Sequence, residues 1–335
     1  MSKKILIFKN DRGGDLVSSI RLIYKLNKNN NNLTVYLSNV NYDFNFLLDK
    51  IKVKKINFNL NLKDKTKIFL DLLLNKYDEV YILSPKNFYF YMPLFFRKTK
   101  FFAITINGKK RNRPSFYLRK YLYKYEIAYR TKLNKKNIIQ NQLSLIDSDS
   151  KFDYKDLNLG LIDQNILDNL PDKFIFFQFK KSFFDQLSWS THEFDKIINF
   201  VQNKNNFVVF SSDIENNNYD TYFFNKYSTI DFERNNKFTS KDNRNIIYLR
   251  KVDPKNLFLI IHKADKILCP HGLVTQIAYL FNKKSINMFS FEINNIHDYH
   301  HQKISFSEWY SNMQIKFTFL NGDVDKAIRK LSKFL

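Results

Sequence analysis

The pattern of apolar and polar positions over residues 5–26 predicts a strand, a tight polar turn and a helix in direct succession. The strand is the apolar run of residues 5–8, and the turn is the polar stretch of residues 9–15, which contains two glycines. Asp15 falls at the start of the helix, where the helix dipole favours an ionised carboxylate. The apolar positions of that helix lie on roughly one face, at Leu16, Ile20, Ile23 and Leu26.

Asp15 has two interpretations that this segment alone does not separate. As an ionised carboxylate at the top of a first strand, it is able to act as a base, beside glycines that let the backbone approach a ligand closely. As a residue at a helix start, it is equally able to be a plain helix cap, a role that Asp fills often. Asp11, in the same turn, offers the same chemistry.

Short apolar runs alternate with helical repeats through the rest of the first half of the chain. This alternation is typical of a parallel sheet that helices cover on both faces. The further strands predicted here are residues 33–37, 53–58, 79–83 and 101–106, with a helix over residues 66–75.

The pattern fades between about 145 and 172, where serines, aspartates and Pro171 indicate a linker, and it then restarts. An amphipathic helix is predicted over residues 321–335, able to pack back on the N-terminal domain. The strands predicted for the second half are residues 174–179, 207–210, 245–249, 266–269 and 285–289, with helices over 191–203, 254–263 and 273–281.

The predicted fold class is therefore α/β, with two Rossmann-like doubly wound domains that face a central cleft. The domains are residues 1–155 and 172–320, and the length of 335 residues exceeds what a single hydrophobic core usually serves. Ligands of such sheets bind outside the carboxyl ends of the strands. Asp15 and the turn Pro270-His271-Gly272, each directly after a strand, are thus both expected to face the cleft.

The amino-acid composition indicates the cellular compartment in which the protein works. The single cysteine, Cys269, excludes an internal disulfide and a cysteine-rich metal site, so a reducing compartment fits best. The first apolar run ends at Lys9, which is too short for a signal peptide, and no apolar stretch approaches the roughly 18 residues of a spanning helix. We expect a soluble cytoplasmic protein.

The formal net charge of +23 predicts attraction to an anionic partner: nucleic acid, a phospholipid surface or a phosphorylated substrate. Part of the charge is also what AT-rich codons would produce, because Lys, Asn, Ile, Phe and Tyr all abound. Residues 97–136 hold fourteen Lys or Arg against one acid, Glu126, with Tyr and Phe interleaved. Such a basic aromatic face suits a nucleic acid or a membrane surface, and it is also common as a plain solvated face.

The turn at residues 270–272 follows an apolar strand and opens a helix. The free N–H groups of a helix start, with the dipole behind them, form a ready site for phosphate. Gly272 carries no side chain to block the approach of an anion.

The chain resembles the ADP-heptose heptosyltransferase family, inverting sugar transferases of the GT-B architecture that build lipopolysaccharide. The resemblance spans nearly the whole chain and is diffuse. It is carried by Gly14-Asp15 after the first strand, by Tyr77-Asp78 before a middle strand, by the strand 174–179 with the polar loop at Trp189, and by residues 254–278 with Ala264-Asp265 before the late turn.

The late turn departs from the family pattern, which usually has Asp-Thr-Gly followed three residues later by His. Pro270 and His271 replace the Asp and Thr, Gly272 is kept, and Thr275 stands where the His would be. The basic residue usual just before the Trp is absent as well. Lys180, Lys181 or Ser182 are expected to supply the phosphate contact instead.

The resemblance implies an inverting, metal-independent glycosyltransferase of cell-envelope synthesis that uses a nucleotide-sugar donor and no cofactor. Asp15 would deprotonate the acceptor hydroxyl while it attacks the anomeric carbon. The diphosphate leaving group would be stabilised by the helix start at Gly272 and Leu273, by His271 and by the lysines 180–181. Glu215, after the strand 207–210, would accept hydrogen bonds from a ribose or remain a solvated loop acid.

The predicted acceptor is an anionic glycolipid or polysaccharide, met at the inner membrane surface by the basic face of residues 97–136. Arg111 and Arg113 are its candidate contacts there, and Arg12 and Gly14 are candidates in the first turn. Two other hypotheses stay open: a catalytically inactive GT-B-like protein that binds a nucleotide or an anionic surface, and a basic nucleic-acid binder, whose affinity would fall steeply with salt. Nucleic-acid-binding motifs are absent, so no nucleic-acid partner is expected.

A metal site is not expected either. His297, His300 and His301 have a spacing that a metal could use, but no nearby Cys or paired carboxylate completes a ligand set. Trp189 and Trp309 are predicted to be packing anchors.

Overall fold

A computed structural model describes residues 2–28, 31–106, 116–128, 138–148, 168–212, 217–234, 237–241, 245–290, 315–320 and 322–335. They form two compact units, one of the described residues up to 148 and one of those from 168 onward. Each unit contains its own sheet, and the α/β class that the pattern predicts is confirmed. Most of the predicted linker falls outside the described residues, so the domain boundaries stay a prediction.

The first unit is a sheet of parallel strands with helices between them. Its helices are α1 (Gly13–Lys28), α2 (Leu62–Asn75), α3 (Asn87–Phe95), α4 (Phe116–Arg119) and α5 (Ile138–Ser144), with a 3-10 helix over Tyr42–Leu48. Its strands are β1 (Lys4–Lys9), β2 (Asn32–Ser38), β3 (Lys52–Ile56), β4 (Glu79–Ile82), β5 (Lys100–Ile106) and β6 (Lys124–Ala128).

The six strands lie in the order β3-β2-β1-β4-β5-β6, all parallel. The order reverses between β1 and β4, so the loops after these two strands flank a topological switch point. The side chains of β1 from Ile5 to Lys9 are all buried, because helices cover both faces of the sheet. That burial is the reason why β1 is an unbroken apolar run in the sequence.

Helix α2 shows how local sequence sets an element in this unit. It begins at a capping box, in which the Asn61 side chain accepts a hydrogen bond from the Asp64 N–H (2.8 Å) and the Asp64 carboxylate accepts one from the Asn61 N–H (3.3 Å). Ile68 and Leu72 turn inward to the core under the sheet. The helix starts four residues earlier than the apolar repeat indicates.

The second unit repeats the architecture with more strands. Its helices are α6 (Lys181–Gln186), α7 (Thr191–Asn205), α8 (Asn217–Lys226), α9 (Pro254–Lys263), α10 (Leu273–Leu280) and α11 (Val324–Leu331), with a 3-10 helix over Phe232–Arg234. Its strands are β7 (Ile175–Gln178), β8 (Val208–Ser211), β9 (Ser228–Asp231), β10 (Lys237–Thr239), β11 (Ile246–Arg250), β12 (Lys266–Pro270), β13 (Lys284–Ser290) and β14 (Ile315–Leu320).

These strands lie in the order β10-β9-β11-β8-β7-β12-β13-β14, and only the edge pair of β10 and β9 is antiparallel among the strands described. The order reverses between β7 and β12, which places a second switch point at their carboxyl ends. Aromatic rings fill the core on one face. Phe194 of α7 lies with its ring centroid 4.6 Å from Phe223, 5.2 Å from Phe210 and 5.7 Å from Phe177.

The C-terminal helix belongs to the second unit. Val324, Ala327 and Leu331 of α11 are buried in that unit's core, where the helix packs against α7. The Trp189 indole N–H donates to the Gly322 carbonyl (2.7 Å), which ties the start of the helix to the same core. The buried side chains of α11 thus belong to the core of the second unit, the predicted packing of this helix on the N-terminal domain stays a prediction, and the packing role predicted for Trp189 is confirmed.

None of the described helices is both long enough and apolar enough to cross a bilayer.

Candidate functional site

A cavity of about 490 Å³ opens at the switch point of the second sheet. Its walls come from the carboxyl ends of neighbouring parallel strands, because Gln178 ends β7, Ser211 ends β8, and residues 270–274 follow from β12 into α10. Ligand sites of open α/β sheets lie at this position. The cavity therefore lies where the turn at Gly272 was predicted to bind a ligand.

The turn after β12 is held by hydrogen bonds from both sides. The His271 N–H donates to the Met288 carbonyl of β13 (3.1 Å), and the Gly272 N–H donates to the Thr275 hydroxyl (3.3 Å). Thr275 is fully buried, and its hydroxyl donates in turn to the Asn287 side chain. Thr275 therefore holds the turn from behind instead of lining the cavity, and its predicted place in the donor site stays a prediction.

Helix α10 starts at Leu273 with its first N–H groups directed out of the helix, as at every helix start. Leu273 and Val274 line the cavity, so the positive end of the helix dipole lies at its wall. A Cβ built on Gly272 would meet no protein atom within 4 Å. The space beside this glycine is thus open to a ligand.

His271 lines the same wall, with its ring stacked on Phe289 at a centroid distance of 5.0 Å and an interplanar angle of 20°. Burial lowers the pKa of His271 from 6.5 to about 4, and the nearby charge of Lys180 adds to the fall. The imidazole is therefore neutral at pH 7. It is thus able to offer an anion a hydrogen bond and not a positive charge.

The three residues predicted after β7 separate in the structure. Lys180 lines the cavity, beside His271. Lys181 and Ser182 are exposed on α6 and are not among the lining residues, and the Lys181 ammonium pairs with Asp185 at 2.6 Å. Only the first of the three is thus placed to contact a ligand in the cavity.

The polar wall at Gln178, Ser211 and Ser212 was missed by the sequence analysis, as were Val252 and Leu257 on the apolar side. The available signal was position, since Gln178 lies near the end of one predicted strand and Ser211 and Ser212 directly follow another. Applied to every strand end, the rule that ligands lie at carboxyl ends would have marked them.

In the first unit, the loop after β1 is held by side chains at and just after the end of β2 and by one from α3. The Asn41 amide donates to the Lys9 carbonyl (2.8 Å), the Ser38 hydroxyl to the Asp11 carbonyl (2.8 Å), and the Tyr89 hydroxyl to the Asn10 side chain (2.9 Å). This loop lies at the first switch point.

The two aspartates of that loop are in different environments. Asp11 pairs with the buried Lys9 ammonium at 2.7 Å. Burial raises the pKa of Asp11, Lys9 opposes the rise, and the charge of Asp15 adds to it. Asp15 is the third residue of α1 and is exposed, and no hydrogen bond or ion pair from the described residues reaches its carboxylate.

The residues just before Asp15 also differ in their environments. Arg12 is exposed and accepts the first helical hydrogen bond, from the Leu16 N–H (3.1 Å), on its carbonyl. Gly13 is buried, and a Cβ there would come within 2.5 Å of the Phe44 ring. Gly14 is the second residue of the helix and half-buried. Of the glycine pair, Gly13 is thus needed for packing.

Glu215, Arg111, Arg113 and the histidines 297, 300 and 301 lie outside the described residues, as does Trp309. Among the residues that are described, no three His, Cys, Asp or Glu side chains are grouped as a metal site.

No protein-family model and no curated protein matches the sequence. Solved structures do match in fold. The Escherichia coli ADP-heptose LPS heptosyltransferase II aligns with a TM-score of 0.63 at 11% identity over 99% of this chain and 98% of its own. The structure of E. coli heptosyltransferase WaaC with ADP aligns with a TM-score of 0.61 at 8% identity, over 99% of this chain and 100% of its own.

The UDP-GlcNAc 2-epimerase from Methanocaldococcus jannaschii aligns with a TM-score of 0.59 at 14% identity over 100% of this chain and 93% of its own. The chain therefore has the GT-B fold. The predicted resemblance to the heptosyltransferases is confirmed at the level of the fold.

Proposed function

We propose that this protein is an inverting glycosyltransferase of the heptosyltransferase type, which moves a sugar from a nucleotide-sugar donor to an anionic glycolipid or polysaccharide acceptor of the cell envelope. The observation that carries the proposal is the cavity at the second switch point. One of its walls combines the start of α10, the open space at Gly272 and the Lys180 ammonium.

That wall suits a diphosphate. Phosphate oxygens accept hydrogen bonds, and the helix start offers N–H donors with the positive end of the dipole behind them. Lys180 adds a full positive charge and neutral His271 a further polar contact. When the sugar leaves, charge develops on the diphosphate, and preorganised donors of this kind stabilise it. These groups take the place of a metal in the proposed reaction.

Asp15 is the base in this proposal. The structure separates the two carboxylates of the first loop, because Asp11 is tied to Lys9 whereas the Asp15 carboxylate is exposed and unengaged by the described residues. Asp15 would accept the proton of the acceptor hydroxyl as its oxygen forms a bond to the anomeric carbon. The bond from that carbon to the diphosphate breaks on the opposite side, and the configuration inverts.

For the acceptor, we propose contact with an anionic membrane surface through the outer faces of α2 and α3. We call this the α2–α3 outer surface and define it by its exposed apolar residues. The rings of Phe69 and Phe95 join the two helices, with centroids 5.7 Å apart. The defining residues are Leu70, Leu73 and Leu74 of α2 and Tyr91 and Phe95 of α3.

Charge around this surface favours anionic lipid. Exposed cations surround it, and Asp78 is the one exposed carboxylate in residues 62–100, all of which are described. Interfacial proteins combine apolar side chains with such cations at headgroups. The basic face predicted over residues 97–136 begins at its edge. The cations are Lys63, Lys67, Lys76, Arg97 and Lys98.

The deciding experiment measures release of nucleoside diphosphate from ADP-sugars and UDP-sugars, with and without extracted envelope glycolipid. Asp15→Asn should lower the transfer rate by about 10²–10⁴-fold and leave nucleotide affinity unchanged, because a general base contributes about that much. Asp43→Asn changes another exposed carboxylate of the same unit and is the matched control.

Three outcomes would contradict the proposal. A parent protein that binds nucleotide but neither transfers nor hydrolyses a donor would favour a catalytically inactive binding protein. Epimerisation of the donor sugar without transfer would instead favour a 2-epimerase activity like the one for which the M. jannaschii protein is named. Full activity in Asp15→Asn would remove Asp15 as the base.

A further inference from the structure

A chain of hydrogen bonds runs from the cavity wall to a partly buried ion pair in the second unit. Ser212 lines the cavity, and its hydroxyl lies 2.7 Å from the Tyr248 hydroxyl of β11. The Tyr248 oxygen lies 2.8 Å from an Asp220 carboxylate oxygen of α8. Arg250 grips the same carboxylate at 2.7–3.0 Å through Nε and Nη2 and reaches Asp231 through Nη1 at 2.9 Å.

The far end of this chain decides where its protons lie. Burial pushes the pKa of Asp220 up, but the bonds from Arg250 and Tyr248 outweigh burial and hold that pKa below its ordinary value. Asp220 is thus a carboxylate, which only accepts hydrogen bonds. Burial and Asp220 raise the pKa of Tyr248, so Tyr248 keeps its proton and must direct it to Asp220.

The direction of the next bond follows. Tyr248 has a single proton, and Asp220 receives it, so the 2.7 Å contact with Ser212 is made only if Ser212 is the donor. The one hydroxyl proton of Ser212 is therefore directed into the protein. What this hydroxyl offers to the cavity is lone pairs.

The hydroxyl of the neighbouring residue, Ser211, also has its proton engaged by the protein, through a separate set of hydrogen bonds. The Gln178 amide nitrogen donates to the Phe179 carbonyl (2.9 Å), which fixes the amide orientation. The Gln178 amide oxygen therefore faces the Ser211 hydroxyl at 2.8 Å, and Ser211 must donate to it. Two adjacent hydroxyls of the cavity wall are acceptors.

We propose that Ser211 and Ser212 form a subsite for hydrogen-bond donors of the nucleoside, either ribose hydroxyls or N–H groups of the base, and that Tyr248 is a positioning residue that keeps Ser212 an acceptor. The inference rests on the proposed function, since it assigns one end of the proposed nucleotide. The hydroxyls of Ser211 and Ser212 have no proton left for a phosphate oxygen, whereas Lys180 and the start of α10 supply donors beside His271. The cavity thus sets the direction in which a nucleotide lies.

The experiment is a calorimetric titration with three probes: whichever of ADP and UDP binds the parent protein more tightly, its 2′,3′-dideoxy form, and inorganic pyrophosphate. Ser212→Ala should weaken nucleoside diphosphate binding about fivefold to tenfold, the range of one hydrogen bond, and leave pyrophosphate affinity unchanged. If the dideoxy form abolishes the difference between parent and Ser212→Ala, the donor is the ribose. If the difference persists, the donor is the base.

Tyr248→Phe tests the positioning role. It should weaken nucleotide binding in the parent and have no further effect in Ser212→Ala, because Tyr248 acts only through that hydroxyl. Tyr227→Phe is the matched control, since Tyr227 is another buried tyrosine of this unit that donates to an aspartate, Asp195, away from the cavity. A purely structural effect of Tyr248 would instead be additive in the double variant and would also weaken pyrophosphate binding.

Parent-like nucleotide affinity in Ser212→Ala, or additive losses in the double variant, would overturn this inference and leave the proposed function intact. Failure of the parent protein to bind ADP, UDP and pyrophosphate alike would overturn both.

Discussion

Two glycines in similar turns, Gly13 and Gly272, have different structural roles in this protein. Gly13 and Gly272 each follow a strand and begin a helix. A side chain at Gly13 would strike the Phe44 ring, whereas a side chain at Gly272 would enter open space beside the cavity. The need for Gly13 comes from the fold itself. The fold does not need Gly272, which leaves close approach of a ligand as the reason for it.

Gly272→Ala is therefore expected to fold as the parent does and to bind nucleotide less well. The backbone of Gly272 is extended, a conformation open to alanine, so the unliganded melting temperature should change little. The added methyl group would occupy the space at the start of α10 and lower nucleoside diphosphate affinity on the order of tenfold, about 1.4 kcal/mol. Gly13→Ala should show the reverse pattern, with a lower melting temperature. Unchanged affinity in Gly272→Ala would contradict phosphate binding at this turn.

The buried imidazole of His271 leads to a pH prediction. Its pKa is about 4 in the folded protein and ordinarily 6.5, lowered by burial and then by Lys180. Between these values the unfolded chain binds a proton that the folded protein does not. The free energy of unfolding should thus fall as the pH drops from about 6.5 to about 4, on the order of 1–3 kcal/mol for this group.

Urea unfolding followed by circular dichroism across this pH range measures that slope. His271→Gln should flatten the profile, and the exposed His192→Gln is the matched control. A profile as steep in His271→Gln as in the parent would show that other groups produce the slope.

At the scale of elements, the sequence predicted ten of the strands, including the edge strand β3, and missed the edge strands β6, β10 and β14 and the buried strand β9. Strands β1, β4 and β12 are continuous apolar runs, because helices cover both of their sides. The edge strands β6 and β10 have mixed polar sequences, because one of their sides faces water. Where a strand is only partly buried, its apolar and polar positions no longer distinguish it from a loop.

The residues of the candidate site also separate into those that the sequence predicted and those that it missed. The place of residues 271–273 followed from strand order and the strand-end rule, and Lys180 was one of three candidates that the family resemblance implied. The acceptor character of Ser211 and Ser212 did not, because it depends on Gln178 of β7 and on Tyr248 of β11, which only the folded sheet brings beside β8. The direction of a hydroxyl proton is a tertiary property.

The α2–α3 outer surface supplies the prediction at this scale. Leu73→Gln with Leu74→Gln should reduce binding to vesicles rich in anionic lipid by about tenfold or more, since each leucine contributes on the order of 1 kcal/mol when it leaves water. Both residues are exposed, so stability should hold. Phe238→Gln alters an exposed apolar residue of the second unit and is the control. Co-sedimentation with vesicles gives the readout, and equal binding by the double variant and the parent would exclude this surface.

At the scale of the whole molecule, the fold is shared with the heptosyltransferases at identities of 8% and 11%. Such distance is physically reasonable, because a doubly wound sheet needs buried strands and one-sided helices and not particular residues. The late turn shows the same tolerance of sequence. Pro270 and His271 stand there in the sequence, yet the turn still ends in a glycine and a helix start at the cavity.

Each unit has its own sheet and core, so thermal unfolding should show two transitions, of which nucleotide raises only one. Ligand at about one hundred times its Kd stabilises the unit that binds it by about 2.7 kcal/mol, or roughly 5–10 °C for a unit of this size. Leu331→Ala in α11 removes a fully buried side chain of the second unit and should lower the nucleotide-sensitive transition, at a loss of about 2–5 kcal/mol. Leu72→Ala in α2 makes the matched change in the first unit and should lower only the other transition. Differential scanning calorimetry separates the two, and a nucleotide that raised the transition lowered by Leu72→Ala would place the donor site in the first unit instead.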